Sequence, residues 1–262
     1  MKCKLYQVDT FTEKLFGGNP AGVCPLDEWL DDDLLQKIAM ENNLAETAFY
    51  VKQDNHYEIR WFTPTVEVDL CGHATLATAF ILFNHEGHSS DCISFFSKRS
   101  GKLKVRRKST WLTLDFPVDE LHQIAITNEL LNCFDKKPIE AYKGKTDYML
   151  VFEKESDIVN IRPEFENISK LNVRGVIITA PSENVDFISR FFAPQTGVIE
   201  DHATGSAYTT LTPYWTRKLG KNNLSSIQMS KRKGYLQCKL STNRVEISGQ
   251  SKLYLEGEIF LE

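Results

Sequence analysis

Two segments about half a chain apart carry one pattern, and a repeat of this kind restricts the chain to folds built from two like halves. The first reads Phe62-Thr63-Pro64, continues through Val66-Glu67-Val68-Asp69 and ends in Cys71-Gly72-His73-Ala74. The second reads Phe192-Ala193-Pro194, continues through Val198-Ile199-Glu200-Asp201 and ends in Thr204-Gly205-Ser206-Ala207. Each is Phe-x-Pro, a short apolar strand closing on Asp, and a turn of small residues in which a Gly sits beside a polar side chain before a helix-like stretch. Polar turns at helix starts offer free N–H groups to an anion, so two of them facing one cleft point to an enzyme rather than a scaffold.

A chain of 262 residues can bury one large core or two medium ones, and the spacing of the two turns favours two. Pro117 marks the expected boundary, giving domains 1–117 and 118–262, with the last strand able to return to the first domain. The net charge of −4 argues against nucleic acid as a ligand, and the clusters Arg106-Arg107-Lys108 and Lys231-Arg232-Lys233 read as solvated surface. The six cysteines include no Cys-x-x-Cys pair, which suits reduced thiols in a cytoplasmic protein. The N-terminal residues alternate like a strand and lack the apolar run of a signal peptide. The longest apolar stretch, residues 76–83, falls short of the roughly 20 residues a membrane span needs, so no membrane association is expected.

Hydrophobic periodicity predicts a helix over residues 31–41, a fully buried helix over 74–83 and a third over 207–219, in which Pro213 is expected to kink or end the first turns. Strands are expected at 47–51, 57–62, 92–97, 102–106 and 110–116, and again at 147–152, 175–179, 187–192, 235–241, 244–248 and 252–260. A helix apolar on every side needs a sheet wrapped around it. The expected class is therefore α+β in two similar domains. The Gly-rich stretch 16–22 reads equally as a hairpin connection or as a loop whose backbone approaches a ligand.

Chemistry concentrates at the two turns and at one carboxylate between Asn42-Asn43 and the strand that follows it, Glu46. Gly72 and His73 in the first turn, and Gly205 and Ser206 in the second, place free N–H groups at helix starts, enough for a substrate carboxylate without any Arg or Lys; plain N-capping by Thr204 or Ser206 is the alternative. Glu46, Asp201 and His73 form a candidate acid/base set, since neighbouring carboxylates do not both ionise cheaply and one retains a proton. Ser206 lacks the second Gly of a nucleophile elbow, so a serine hydrolase is not expected. Cys71, His73 and Asp69 lack a third fixed ligand beyond the local cluster, so no metal is expected, and no nucleotide-binding Gly motif is present.

Taken in order, Gly18-Asn19-Pro20-Ala21, Asn43-Leu44-Ala45-Glu46-Thr47, Arg60-Trp61-Phe62-Thr63-Pro64, Cys71-Gly72-His73-Ala74-Thr75, Gly197-Val198-Ile199-Glu200-Asp201 with Thr204-Gly205-Ser206-Ala207, and Ser248-Gly249 resemble the PhzF-like isomerase family of phenazine biosynthesis, which shares its fold with diaminopimelate epimerase. The resemblance implies a cofactor-independent isomerase or epimerase of a small carboxylate, acting in a cleft between two domains, each a strand barrel about a central helix, and assembled as a homodimer. It places the catalytic base on Glu46 and assisting roles on His73, Asp201 and Ser206, while Asn19, Gly72, Gly205 and Ser206 are expected to hold the substrate. Diaminopimelate epimerase uses two facing cysteines; Cys71 matches the first, and the second falls near Ala203, so one-base chemistry through Glu46 is expected instead. A non-catalytic ligand- or protein-binding module on the same fold is the alternative.

Overall fold

The computed structural model describes residues 1–261, and the chain divides into two compact units. One comprises Met1–Asp115 together with the segment from Ser248 onward; the other comprises Phe116–Ile247. The returning segment is the strand Ser251–Phe260, which pairs antiparallel with Lys2–Thr10 along its length.

In the first unit the strand Lys2–Thr10 turns back as a hairpin into Asn19–Leu26, which pairs parallel with Glu46–Lys52. That strand pairs antiparallel with Tyr57–Phe62, followed by the two-residue strand Glu67–Val68; Tyr57–Phe62 then pairs parallel with Cys92–Ser97, and Cys92–Ser97 antiparallel with Gly101–Lys108. The parallel steps need crossovers, supplied by the helices Asp32–Asn42 and Gly72–Asn84. Asp31 precedes the first, Asp32 and Asp33 occupy its positive N-terminal turn, and Asn43 ends it in the left-handed conformation that Asn tolerates. Its Leu35, Ile38 and Ala39 cover Cys3, Cys24, Phe49 and Phe62 on one face of the sheet.

The sheet wraps the second helix. Leu76, Ala77, Ala79 and Ile81 are buried, and so are Thr75 and Thr78. Each threonine donates its hydroxyl to the carbonyl four residues earlier, Thr75 to Cys71 at 2.6 Å and Thr78 to Ala74 at 2.8 Å, which removes the cost of burying an unpaired hydroxyl.

The second unit repeats the order of pairings. His122–Ile124, Glu140–Lys143 and Asp147–Val151 pair antiparallel in turn; Asp147–Val151 pairs parallel with Gly175–Pro181, and that strand antiparallel with Phe187–Ala193. A short strand, Val198–Asp201, follows, then a parallel step to Asn223–Gln228 and an antiparallel one to Gly234–Ser241. The same succession of antiparallel, parallel and short strands, with the Phe-x-Pro element at the same point, is the structural form of the sequence repeat.

The helix of this unit, Tyr208–Leu219, runs through Pro213 rather than ending there. Proline removes the N–H that would satisfy the carbonyl four residues back, that of Thr209. Asp119 supplies the missing donor, its backbone N–H reaching the Thr209 carbonyl at 3.2 Å. Phe187 stacks on Trp215 at 5.4 Å, and Trp215 donates its indole N–H to Thr179 at 3.0 Å, tying the helix to the sheet.

Candidate active site

Glu46, His73 and Asn19 are brought together by ends of elements. Asn19 and Glu46 are each the first residue of a strand, and the parallel register places Ala21 opposite Glu46. His73 is the second residue of the helix Gly72–Asn84, and Cys71 is the extended residue before it. Only a Gly serves before Asn19: Gly18 has φ +58°, and a Cβ there would lie 1.8 Å from the Thr10 carbonyl oxygen. The Gly-rich stretch is therefore a hairpin connection that also delivers a site residue.

His73 is buried and lies between three partners. Its Nε2 is 3.1 Å from Glu46 Oε2, its Nδ1 is 3.3 Å from Asn19 Nδ2, and Cys71 Sγ is 3.4 Å from Nδ1. The Glu46 contact is close but not in line with a ring N–H: Oε2 is a buried oxygen without a directed hydrogen bond among the described residues. Burial opposes charging the ring, yet Cys71 and Glu46 outweigh it and hold the His73 pKa well above that of an ordinary histidine. Burial, with the Glu46 charge, pushes the Cys71 thiol pKa up. Asn19 suits either state of the ring, because its amide donates to a bare Nδ1 and, turned over, accepts from Nδ1–H.

The second unit assembles the other turn. Asp201 ends its strand and accepts the Thr204 hydroxyl at 2.6 Å. Thr204 is therefore not a helix cap, and neither it nor Ser206 makes a capping bond; Gly205–Ala207 is a single 3-10 turn ahead of the α-helix that starts at Tyr208. The helix expected over 207–219 begins one residue later, and Gly205 and Ser206 lie in the 3-10 turn ahead of it rather than in its first turn. Buried Gln228 clamps the turn: its side-chain oxygen accepts the Thr204 N–H at 2.8 Å while its amide donates to the Asp201 carbonyl at 2.8 Å. Gln228→Ala strands both backbone groups, and we expect a loss of about 2 kcal/mol in unfolding free energy, measured by urea titration.

Ser206 is also not free of cations, contrary to the expectation of a site without Arg or Lys. Arg174 donates to Ser206 Oγ at 3.0 Å and is itself held by the buried Asp147, Nε to Oδ1 at 2.9 Å with a second bond from Nη2. Arg174 directly precedes the strand Gly175–Pro181, the counterpart of the strand that Glu46 opens. In both units a charged side chain at that strand start meets the polar residue after the turn Gly, Glu46 with His73 in one and Arg174 with Ser206 in the other. The signal was present in Arg174-Gly175 before Val176-Ile177-Ile178; Gln228 had none.

Asp69 does not join the first cluster. It is exposed and paired with Arg99 at 3.1 Å. Glu46 takes its place beside Cys71 and His73, and the ligand atoms of these three side chains lie within 4.8 Å of one another.

The chain as a whole is similar to known proteins. A family model described as phenazine biosynthesis-like protein, PhzC-PhzF, matches residues 8–257. A Pseudomonas aeruginosa protein named as an uncharacterized isomerase is 48% identical over 261 residues, covering 100% of both chains. The crystal structure of a PhzF-family phenazine biosynthesis protein from Enterococcus faecalis superposes with a TM-score of 0.97 at 44% identity, again over 100% of each chain. A hydroxyproline epimerase from Agrobacterium vitis shares the fold alone, with a TM-score of 0.63 at 11% identity over 98% of this chain and 91% of that one.

Proposed function

Because the chain belongs to the phenazine biosynthesis-like PhzC-PhzF family, we propose that it is a cofactor-independent isomerase or epimerase that moves a proton on a small carboxylate. The observation that carries this reading is the buried Glu46 Oε2, without a directed hydrogen bond, 3.1 Å from a histidine whose pKa is raised. A carboxylate oxygen in that state can accept a proton from carbon without first breaking a strong bond, and His73 can hold charge beside it. Glu46 removes the proton and returns it elsewhere on the substrate. Asp201 answers the charge that develops, while Asn19, Gly72, Gly205 and Ser206 hold the substrate. The reading carries with it the homodimer that the resemblance implies and the cytoplasmic location that cysteines without a Cys-x-x-Cys pair suit; among the described residues no helix is long and apolar enough to cross a membrane.

Exchange of solvent deuterium into a panel of small carboxylic acids tests it. Incorporation at one carbon, with a shifted double bond or inverted centre in the product, is expected. Tight binding of an acid with no exchange would instead establish the binding-module alternative. With a substrate in hand, His73→Ala and Asp201→Asn are each expected to lower kcat more than they raise KM, as befits groups that act on transition-state charge. A change in KM alone would reassign that residue to binding.

A further inference from the structure

We infer that Cys71, His73 and Glu46 also form a site for one zinc-class divalent cation, a role their sequence positions hide because the third ligand comes from a separate strand. The donors are a thiol sulfur, an imidazole nitrogen and a carboxylate oxygen, mutually within 4.8 Å. His73 Nε2 lies 3.1 Å from Glu46 Oε2 and 4.0 Å from Cys71 Sγ. Tetrahedral zinc, with Zn–S near 2.3 Å and Zn–N or Zn–O near 2.1 Å, places such ligand atoms about 3.4–3.6 Å apart, so small side-chain rotations suffice.

Further features fit an ion rather than a chance cluster. Glu46 Oε2 is a buried acceptor without a directed hydrogen bond, and His73 and Cys71 are buried. Asn19 sits against the other ring nitrogen at 3.3 Å, the outer partner that orients a metal-bound imidazole. Three protein ligands leave a fourth position for water. A sulfur and a nitrogen donor select zinc and cobalt over magnesium or calcium, which prefer oxygen alone.

Binding exchanges protons for the cation. The S–H bond of Cys71 and any N–H at Nε2 release their protons to water as the Zn–S and Zn–N bonds form, and no electrons are transferred. An ion in this position occupies the lone pair of Glu46. On the proton-transfer reading above, zinc is therefore an inhibitor that a chelator relieves, the opposite of a metal the reaction needs.

The binding claim is tested without turnover, so it stands or falls apart from that reading. The full-length, reduced, metal-free protein is titrated with Co²⁺ and the near-ultraviolet thiolate-to-cobalt charge-transfer band is followed. One Co²⁺ per chain, a band that Zn²⁺ abolishes, and loss of the band in Cys71→Ser are expected. Glu46→Gln, at a partly exposed strand start, should keep the fold and weaken Zn²⁺ binding at least about tenfold in competition with a chromophoric chelator. Absence of the band, or a band undiminished in folded Cys71→Ser, overturns the proposal, since the metal would then use another thiol or none. Should Cys71→Ser fail to fold by circular dichroism, unchanged affinity in Glu46→Gln overturns it, and the tenfold loss supports it.

Discussion

Glu46→Gln is expected to leave a folded protein whose turnover falls by at least about 10²-fold, the lower end of what a positioned acid/base group contributes. Glutamine keeps the shape of the side chain and its place at the head of the strand Glu46–Lys52, so the pairing with Asn19–Leu26 is retained. What it loses is the basic carboxylate oxygen that accepts a proton and the negative charge that, after Cys71, helps hold up the pKa of His73. Both losses act on the transition state, so kcat should fall with little change in KM, and deuterium exchange into the substrate should fall in step. The melting curve of the variant should overlay that of the parent within a few degrees. Activity within twofold of the parent would remove Glu46 from the mechanism.

Gly18→Ala should produce the largest loss of stability from a single methyl group. A residue with a side chain at φ +58° pays roughly 1–2 kcal/mol for the left-handed backbone alone. The added Cβ would also lie 1.8 Å from the Thr10 oxygen, a backbone atom that cannot swing aside. The hairpin between Lys2–Thr10 and Asn19–Leu26 must open at its last pair, Thr10 with Asn19, to admit it. We expect at least about 3 kcal/mol in total, a drop in Tm of roughly 6–12 °C for a chain of this size. Gly87→Ala is the control: Gly87 has φ +69° but nothing within 4 Å of its Cβ position, so only the backbone cost applies. Equal Tm values for the two variants would show that the contact with Thr10 relaxes. Because Asn19 directly follows, Gly18→Ala should also loosen the amide that braces His73, linking a turn residue to the chemistry.

Much of this protein is legible along the chain because its determinants are local. The Phe-x-Pro repeats, the apolar helix of residues 72–84 and the alternating strands depend on spacing within a few residues, and spacing is what periodicity reads. The family resemblance likewise rests on short motifs in order, and these single out Glu46, His73 and Asp201. What escaped is decided by partners far apart in sequence. Pro213 stays inside its helix because Asp119, 94 positions back by subtraction, donates to the carbonyl that proline orphans. Asp69 is near His73 in sequence yet turns to Arg99, whereas Glu46 reaches the ring through parallel strand pairing. Arg174 finds Ser206, and Gln228 locks the Asp201 turn, by the same route. A local pattern can place a residue at the start of a strand or helix; which side chain it meets there depends on how distant strands come into register, and only the tertiary structure decides that.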